Sequence, residues 1–132
     1  MQIRIYYEDT DLGGIVYHAN YLKFCERARS EIFFSKGLVP IDGNRSFMVT
    51  KIEADFLGSA TLADMIEVKT SIYQTKKISL ILLQEIFLIE RAGQKLDDEQ
   101  KIFSTKVKLA YIEDGKPILI PQEQLSILNG DK

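Results

Sequence analysis

The sequence is short of cysteine, of charge of one sign and of any long apolar run. A single cysteine, Cys25, rules out an intramolecular disulfide and makes a cytoplasmic setting the expectation. Seventeen basic residues against 19 acidic ones leave a net charge of -2, which argues against a nucleic-acid binder working through a broad basic face. No apolar stretch approaches the roughly 18 residues needed to cross a bilayer. The opening MQIRIYYEDT lacks the basic and then apolar stretches of a signal peptide. Glycine-rich phosphate loops, CxxC pairs, HExxH and GxSxG patterns do not occur. Nor is there a linker, a low-complexity tract or an internal repeat, so one domain spanning 1–132 is expected.

What is present suits a globular core. The chain has 132 residues, 45% of them hydrophobic and 27% charged. A chain of this length buries roughly two-thirds of its unfolded surface. Gln2 to Tyr7 alternates Ile3, Ile5 and Tyr7 with polar neighbours and reads as a short strand. Glu8 to Ala19 reads as a loop around Gly13-Gly14. From Asn20 to Lys36 the period becomes helical, with Asn20 as N-cap and Gly37 as the residue that ends the helix. Tyr21, Phe24, Cys25, Ala28 and Ile32 form its apolar stripe, widened by Leu22 and Phe33. A stripe this wide predicts burial in a concave surface.

Four extended segments follow after a loop over Val39 to Ser46. In Phe47–Leu57 one face is expected to carry Met48, Thr50, Ile52, Ala54 and Phe56. Met65–Tyr73 and Lys101–Tyr111 alternate in the same way. Ile78–Ile89 is apolar on both faces and belongs in the centre of the sheet. Gly58–Asp64, a tight turn at Gln74–Lys77 and a polar loop over Arg91–Gln100 are the expected connections, and Pro121–Leu128 a short terminal helix. The expected class is α+β: a five-stranded antiparallel sheet wrapped around one long central helix.

The chemistry-bearing residues lie ahead of that helix. A loop acid is usually solvated or caps a turn. Asp11 differs because a Gly-Gly turn leads from it to a helix N-terminus, where unpaired amides and the helix dipole favour developing negative charge. A carboxylate on one side of a carbonyl and helix amides on the other suit acyl transfer. His18, the lone histidine, cannot build a metal site unaided, but its backbone N–H sits at the helix mouth and its side chain could orient water or act as a base. Cys25 falls on the apolar stripe about 10 Å along the helix from His18, and reads as a core residue. Lys76 and Lys77 sit in a hairpin turn, where lysine is ordinary.

With these residues placed, the segment YYEDTDLGGIVYHANYLKFCERARSE resembles the signature of hot-dog acyl-CoA thioesterases. The resemblance is to the 4-hydroxybenzoyl-CoA thioesterase family, in its bacterial Tol–Pal-associated branch. It covers the pattern Tyr7-x-Asp9-Thr10-Asp11, then Gly14, Val16-Tyr17-His18, Asn20-Tyr21 and the helix FCERARSE. Ile15 stands where the family has valine, and Cys25 where it usually has an aromatic residue. The resemblance implies that Asp11 is the essential carboxylate, as nucleophile or as general base. It implies that the His18 backbone N–H holds the thioester oxygen, with Tyr7, Gly14 and the His18 side chain beside the acyl group. Lys76 and Lys77 would approach the coenzyme A phosphates. Coenzyme A enters as part of an acyl-CoA substrate, no separate cofactor is implied, and acyl-carrier protein is a second candidate acyl donor. A homodimer or homotetramer with shared sites is implied as well. Two rivals remain open: an acyl-thioester hydratase, and a module that binds acyl groups or acyl-carrier protein without cleaving them.

Overall fold

The computed structural model describes residues 1–130. Strand β1 covers Gln2–Arg4, a single 3-10 turn follows at Tyr7–Asp9, and helix α1 covers His18–Phe34. Strands β2 (Ile41–Asp42), β3 (Arg45–Phe56), β4 (Met65–Thr75), β5 (Ser79–Arg91), β6 (Gln94–Glu113) and β7 (Lys116–Pro117) come next, and helix α2 covers Gln122–Leu128. The strands form one antiparallel sheet in the order β1-β4-β5-β6-β3-β2, with β7 on β6. The sheet therefore has seven strands rather than five, because β2 and β7 each add a two-residue rung too short to leave a periodic signal.

The helix is of moderate length, 17 residues, and it begins at His18 rather than after an Asn20 cap. Tyr17, in extended geometry, precedes it and no side chain caps its first turn. Asn20 instead donates its side-chain amide to the Asp9 carbonyl at 2.9 Å, tying the helix to the preceding loop. At the other end Gly37 takes φ +72°, and the amides of Gly37 and Leu38 close on the carbonyls of Phe34 and Phe33. That reversal needs left-handed backbone, which glycine adopts at no steric cost.

Tyr21, Phe24, Cys25 and Ala28 bury the expected stripe against Ile66, Val68, Ile86, Leu88, Ile102 and Phe103 of the sheet. A second cluster joins Phe33 to Leu80, Leu82, Val107 and Leu109, closed by Ile127 and Leu128 of α2. Between the two lies a polar row: Thr70 pairs with Gln84, and Gln84 with Thr105, across three adjacent strands. Gln84 is fully buried; its amide nitrogen donates to the Cys25 carbonyl (2.9 Å) and to the Thr70 hydroxyl (3.0 Å). Its carbonyl oxygen accepts from Arg29 Nη1 at 2.9 Å. Sheet and helix are thereby locked in one register by bonds a purely apolar interface would not supply.

Two further expectations are corrected. The polar stretch after Arg91 is not a loop: Ala92 and Gly93, at φ +53° and +76°, make a tight turn and Gln94–Gln100 continues as strand β6. Two successive positive-φ residues give a turn whose twist matches a hairpin. On β3 a bulge between Val49 and Lys51 splits the expected face. Phe47 and Val49 pair with inward-facing Tyr111 and Leu109, whereas beyond the bulge Ile52, Ala54 and Phe56 pair with Val107, Thr105 and Phe103. One inserted residue moves Met48 to the opposite face from Ile52.

Candidate active site

The approach to α1 is a small antiparallel ladder. The Tyr17 amide donates to the Asp9 carbonyl (3.0 Å), Thr10 bridges Val16, and the Asp11 amide donates to the Ile15 carbonyl (2.9 Å). Asp11 therefore opens the apex, about 7 Å along the ladder from the rung that precedes the helix. Its own side chain fixes the turn: Asp11 Oδ1 accepts from the Gly13 amide at 2.8 Å. This is an Asx turn, in which the carboxylate mimics a backbone carbonyl and leaves its second oxygen free. A methyl group on Gly13 would come within 3.1 Å of that same Oδ1. Gly14, at φ +80°, donates to the Asp11 carbonyl and turns the chain back.

An ion pair with a buried carboxylate and a half-exposed guanidinium supports this ladder from behind. Asp64 is 1% exposed and pairs with Arg91, Oδ2 to Nη2, at 2.9 Å. Its Oδ2 also accepts from the Thr61 amide (2.7 Å) and the Thr61 hydroxyl (3.1 Å). Thr61 in turn bridges Ile15, and the Ala60 carbonyl accepts the Val16 amide at 2.9 Å. The 58–64 connection is thus the strut on which the Asp11 loop rests.

Tyr7, Asp11 and Gly14 come together in one open cavity of about 630 Å³, completed by Thr10, Leu12 and Leu62. Asp11 and Tyr7 are exposed to water in the single chain. His18 is the first residue of α1, outside that wall, with its ring 4.7 Å from Tyr17 and 6.0 Å from Phe56 at the end of β3. The first-turn amides of a helix have no intrahelical acceptor, and here no side chain covers them. The Asn20 amide donates to the Tyr17 carbonyl at 2.9 Å, which leaves those of His18 and Ala19 for an oxygen that gains negative charge. Lys76 and Lys77 lie elsewhere: they sit in the β4–β5 turn, at the opposite end of the strands from Met65 and the Thr61 strut. Within one chain they are not brought to Asp11.

Cys25 is fully buried, and burial pushes its thiol up to about 12, so it is not a nucleophile. Tyr21 is buried too and accepts the Ala60 amide on its hydroxyl; burial raises its pKa. Among the described residues no three His, Cys, Asp or Glu side chains converge as a metal site. The sequence marks Gly13 only as part of a turn and Phe56 only as part of a strand face, and it gives Asp64 and Arg91 no role. The Asp-x-Gly spacing signals the Asx turn, whereas nothing local marks Asp64 as buried or Arg91 as its partner.

Residues 13–93 match the family model described as Thioesterase superfamily. The chain is 40% identical over 131 residues to a Helicobacter pylori protein named Acyl-CoA thioesterase YbgC, covering 98% of each. Among solved structures, a probable thioesterase from Bartonella henselae is 33% identical with TM-score 0.73, covering 92% of this chain and 96% of that one. A mutant 4-hydroxybenzoyl CoA thioesterase complexed with 4-hydroxybenzoyl CoA superposes with TM-score 0.82 at 21% identity, covering 97% and 96%. At that identity the last likeness shows the fold alone, the sheet and central helix of the hot-dog arrangement. A carboxylate held on an Asx turn ahead of an uncapped helix, on this fold and with these relatives, shows that the chain belongs to the thioesterase superfamily.

Proposed function

We propose that the protein hydrolyses the thioester of an acyl-CoA, releasing the free acid and coenzyme A. The observation that carries the reading is the Asp11 carboxylate, fixed through Oδ1 by the Gly13 amide on the ladder that leads into α1. The thioester carbonyl oxygen would accept from the amide of His18, and the free Asp11 oxygen would face the carbonyl carbon, to attack it or to activate a water. A thiol leaving group with pKa near ~8.5 departs without a strong general acid, so a carboxylate and one oxyanion donor suffice. The similarity to the Helicobacter pylori acyl-CoA thioesterase supports the substrate class.

The site is completed by a second copy of the chain. Beyond its short pairing with β2, the outer edge of β3 is left without a strand partner among the described residues. That edge carries exposed Met48, Val49, Ile52 and Phe56. Such a long apolar edge is a template for another strand. Lys51 and Glu53 pair along it (3.0 Å) and are complementary to themselves in an antiparallel copy. Phe56 touches His18, so pairing there places the helix mouth at the subunit boundary and shields Asp11 from water.

The test is release of free thiol from a chain-length series of acyl-CoAs, run beside crotonyl-CoA hydration and binding of acyl-acyl-carrier protein. Thiol release that is absent in Asp11→Ala supports hydrolysis. Hydration without thiol release, or binding without turnover, refutes it.

A further inference from the structure

The motif helix FCERARSE contributes a charge that thioester cleavage does not use. Arg29 points from α1 into the gap between helix and sheet, where the fully buried Gln84 holds its Nη1 at 2.9 Å. No ion pair to Arg29 is found among the described residues, and a guanidinium has five donors, so the remaining ones lack a protein acceptor. A polar row crossing the core at Thr70, Gln84 and Thr105 costs desolvation that an apolar row would avoid. Besides tying α1 to the sheet, its central member Gln84 holds this one cation in place. Burial lowers the pKa of Arg29, the mark of a charge that gains from an anionic ligand.

Arg29 lines a cavity of about 370 Å³ together with Ser30 and Phe33 of α1, Phe47 and Val49 of β3, and Leu109 of β6. Away from the helix the wall is apolar except for Ser46 of β3, a lining suited to the end of an alkyl chain. Val49, which lines the cavity, and Phe56, whose ring lies 6.0 Å from that of His18, stand on the same inner face of β3, with the exposed Ile52 between them. Eleven helical residues separate His18 from Arg29, about 16 Å at the usual rise. An extended chain advances about 1.2 Å per bond, so roughly a dozen carbons span the distance.

We infer that this cavity receives the far end of the acyl group and that Arg29 there binds a terminal carboxylate, making ω-carboxyacyl thioesters of about twelve carbons preferred substrates. The inference rests on the thioesterase reading, because it measures the chain from a carbonyl held at the start of α1. Glu26 stands at the same wall, exposed, with its carboxylate accepting from the Ser30 hydroxyl at 3.0 Å. It opposes an incoming anion, so removing its charge and removing that of Arg29 must act in opposite directions.

The experiment compares kcat/KM for the mono-CoA thioester of dodecanedioic acid with that for dodecanoyl-CoA. In the wild type the diacid thioester is expected to be the better substrate. In Arg29→Met the ratio of the two constants should fall at least about tenfold, the worth of one hydrogen-bonded charge. In Arg29→Lys it should fall less, and in Glu26→Gln it should rise. A wild-type preference for dodecanoyl-CoA, or an equal loss on both substrates in Arg29→Met, overturns the inference while leaving hydrolysis intact. If Arg29→Met does not fold, the wild-type ratio and Glu26→Gln decide alone. Failure to cleave any acyl-CoA, short chains included, overturns the thioesterase reading and this inference with it.

Discussion

Asp64→Asn is a strict test of the strut behind the Asp11 loop. The carboxylate is 1% exposed and accepts from four donor groups: the Thr61 amide and hydroxyl, Arg91 Nη2 (2.9 Å), and Arg91 Nε, shared between Oδ2 (3.3 Å) and Oδ1 (3.5 Å). Asparagine keeps the size but turns an amide NH₂ toward donors and removes the charge facing Arg91. Breaking a fully buried pair costs about 3–5 kcal/mol. Arg91 is 44% exposed and regains water, which reduces the loss to about 2–3 kcal/mol. At roughly 4 °C per kcal/mol for a chain of this size, Tm should fall by about 10 °C. Because Thr61 and Ala60 carry Ile15 and Val16, thioester turnover should fall with it. Thermal unfolding by circular dichroism reads the first effect. A double-mutant cycle with Arg91→Gln should return a coupling of at least about 1 kcal/mol. A Tm within about 2 °C of wild type, with additive double-mutant losses, would refute the reasoning.

Other consequences follow from single contacts. Gly13→Ala keeps an ordinary backbone conformation but puts a methyl group 3.1 Å from Asp11 Oδ1. Displacing the carboxylate by a few tenths of an ångström should lower kcat about three- to tenfold, with Tm unchanged; wild-type kcat would count against a positioned carboxylate. Ile52→Lys puts charge on the open β3 edge and should yield monomers by analytical ultracentrifugation, with little turnover. A dimer that survives would move the interface elsewhere. The Cys25 thiol, raised from 9.0 to about 12 by burial, stays protonated in the folded chain where the unfolded thiol ionises. Its stabilising contribution is therefore complete below pH 9 and lost as pH rises toward 12. Thiol-specific reagents at pH 8 should label Cys25 only in denaturant, and rapid labelling of the folded protein would contradict its burial.

Much of the architecture was legible because it depends on periodicity. The stripe from Tyr21 to Ala28 lies in the core, as does one face of the doubly apolar Ile78–Ile89 segment (Leu80, Leu82, Ile86 and Leu88), while its other face, Ile81, Leu83 and Phe87, is half-buried. Gly37 ends the helix as its lack of a side chain suggests. What periodicity cannot see is a change of register or a purely local bond. The bulge after Val49 reverses a face without altering composition. The charged run Asp97-Asp98-Glu99 looks like a loop, yet continues β6, where Glu99 pairs with Lys69 of β4. Asn20 looks like a helix cap because its usual bonding partner is local, yet its amide reaches back to Asp9. For the site, Tyr7, Asp11 and Gly14 lie close in sequence and remain close in space. Lys76 and Lys77 are remote in both, and the Asp64–Arg91 strut joins residues 27 positions apart that no spacing rule connects.

The most direct measurement is kcat of Asp11→Asn on an acyl-CoA that the wild type cleaves. Asparagine retains the Oδ1 acceptor that the Gly13 amide requires, so the turn and the melting temperature should stay as they are. Removing the carboxylate alone should reduce kcat at least about 100-fold. Turnover equal to wild type in a folded Asp11→Asn protein would contradict the claim that this acid and the start of α1 act together on the thioester.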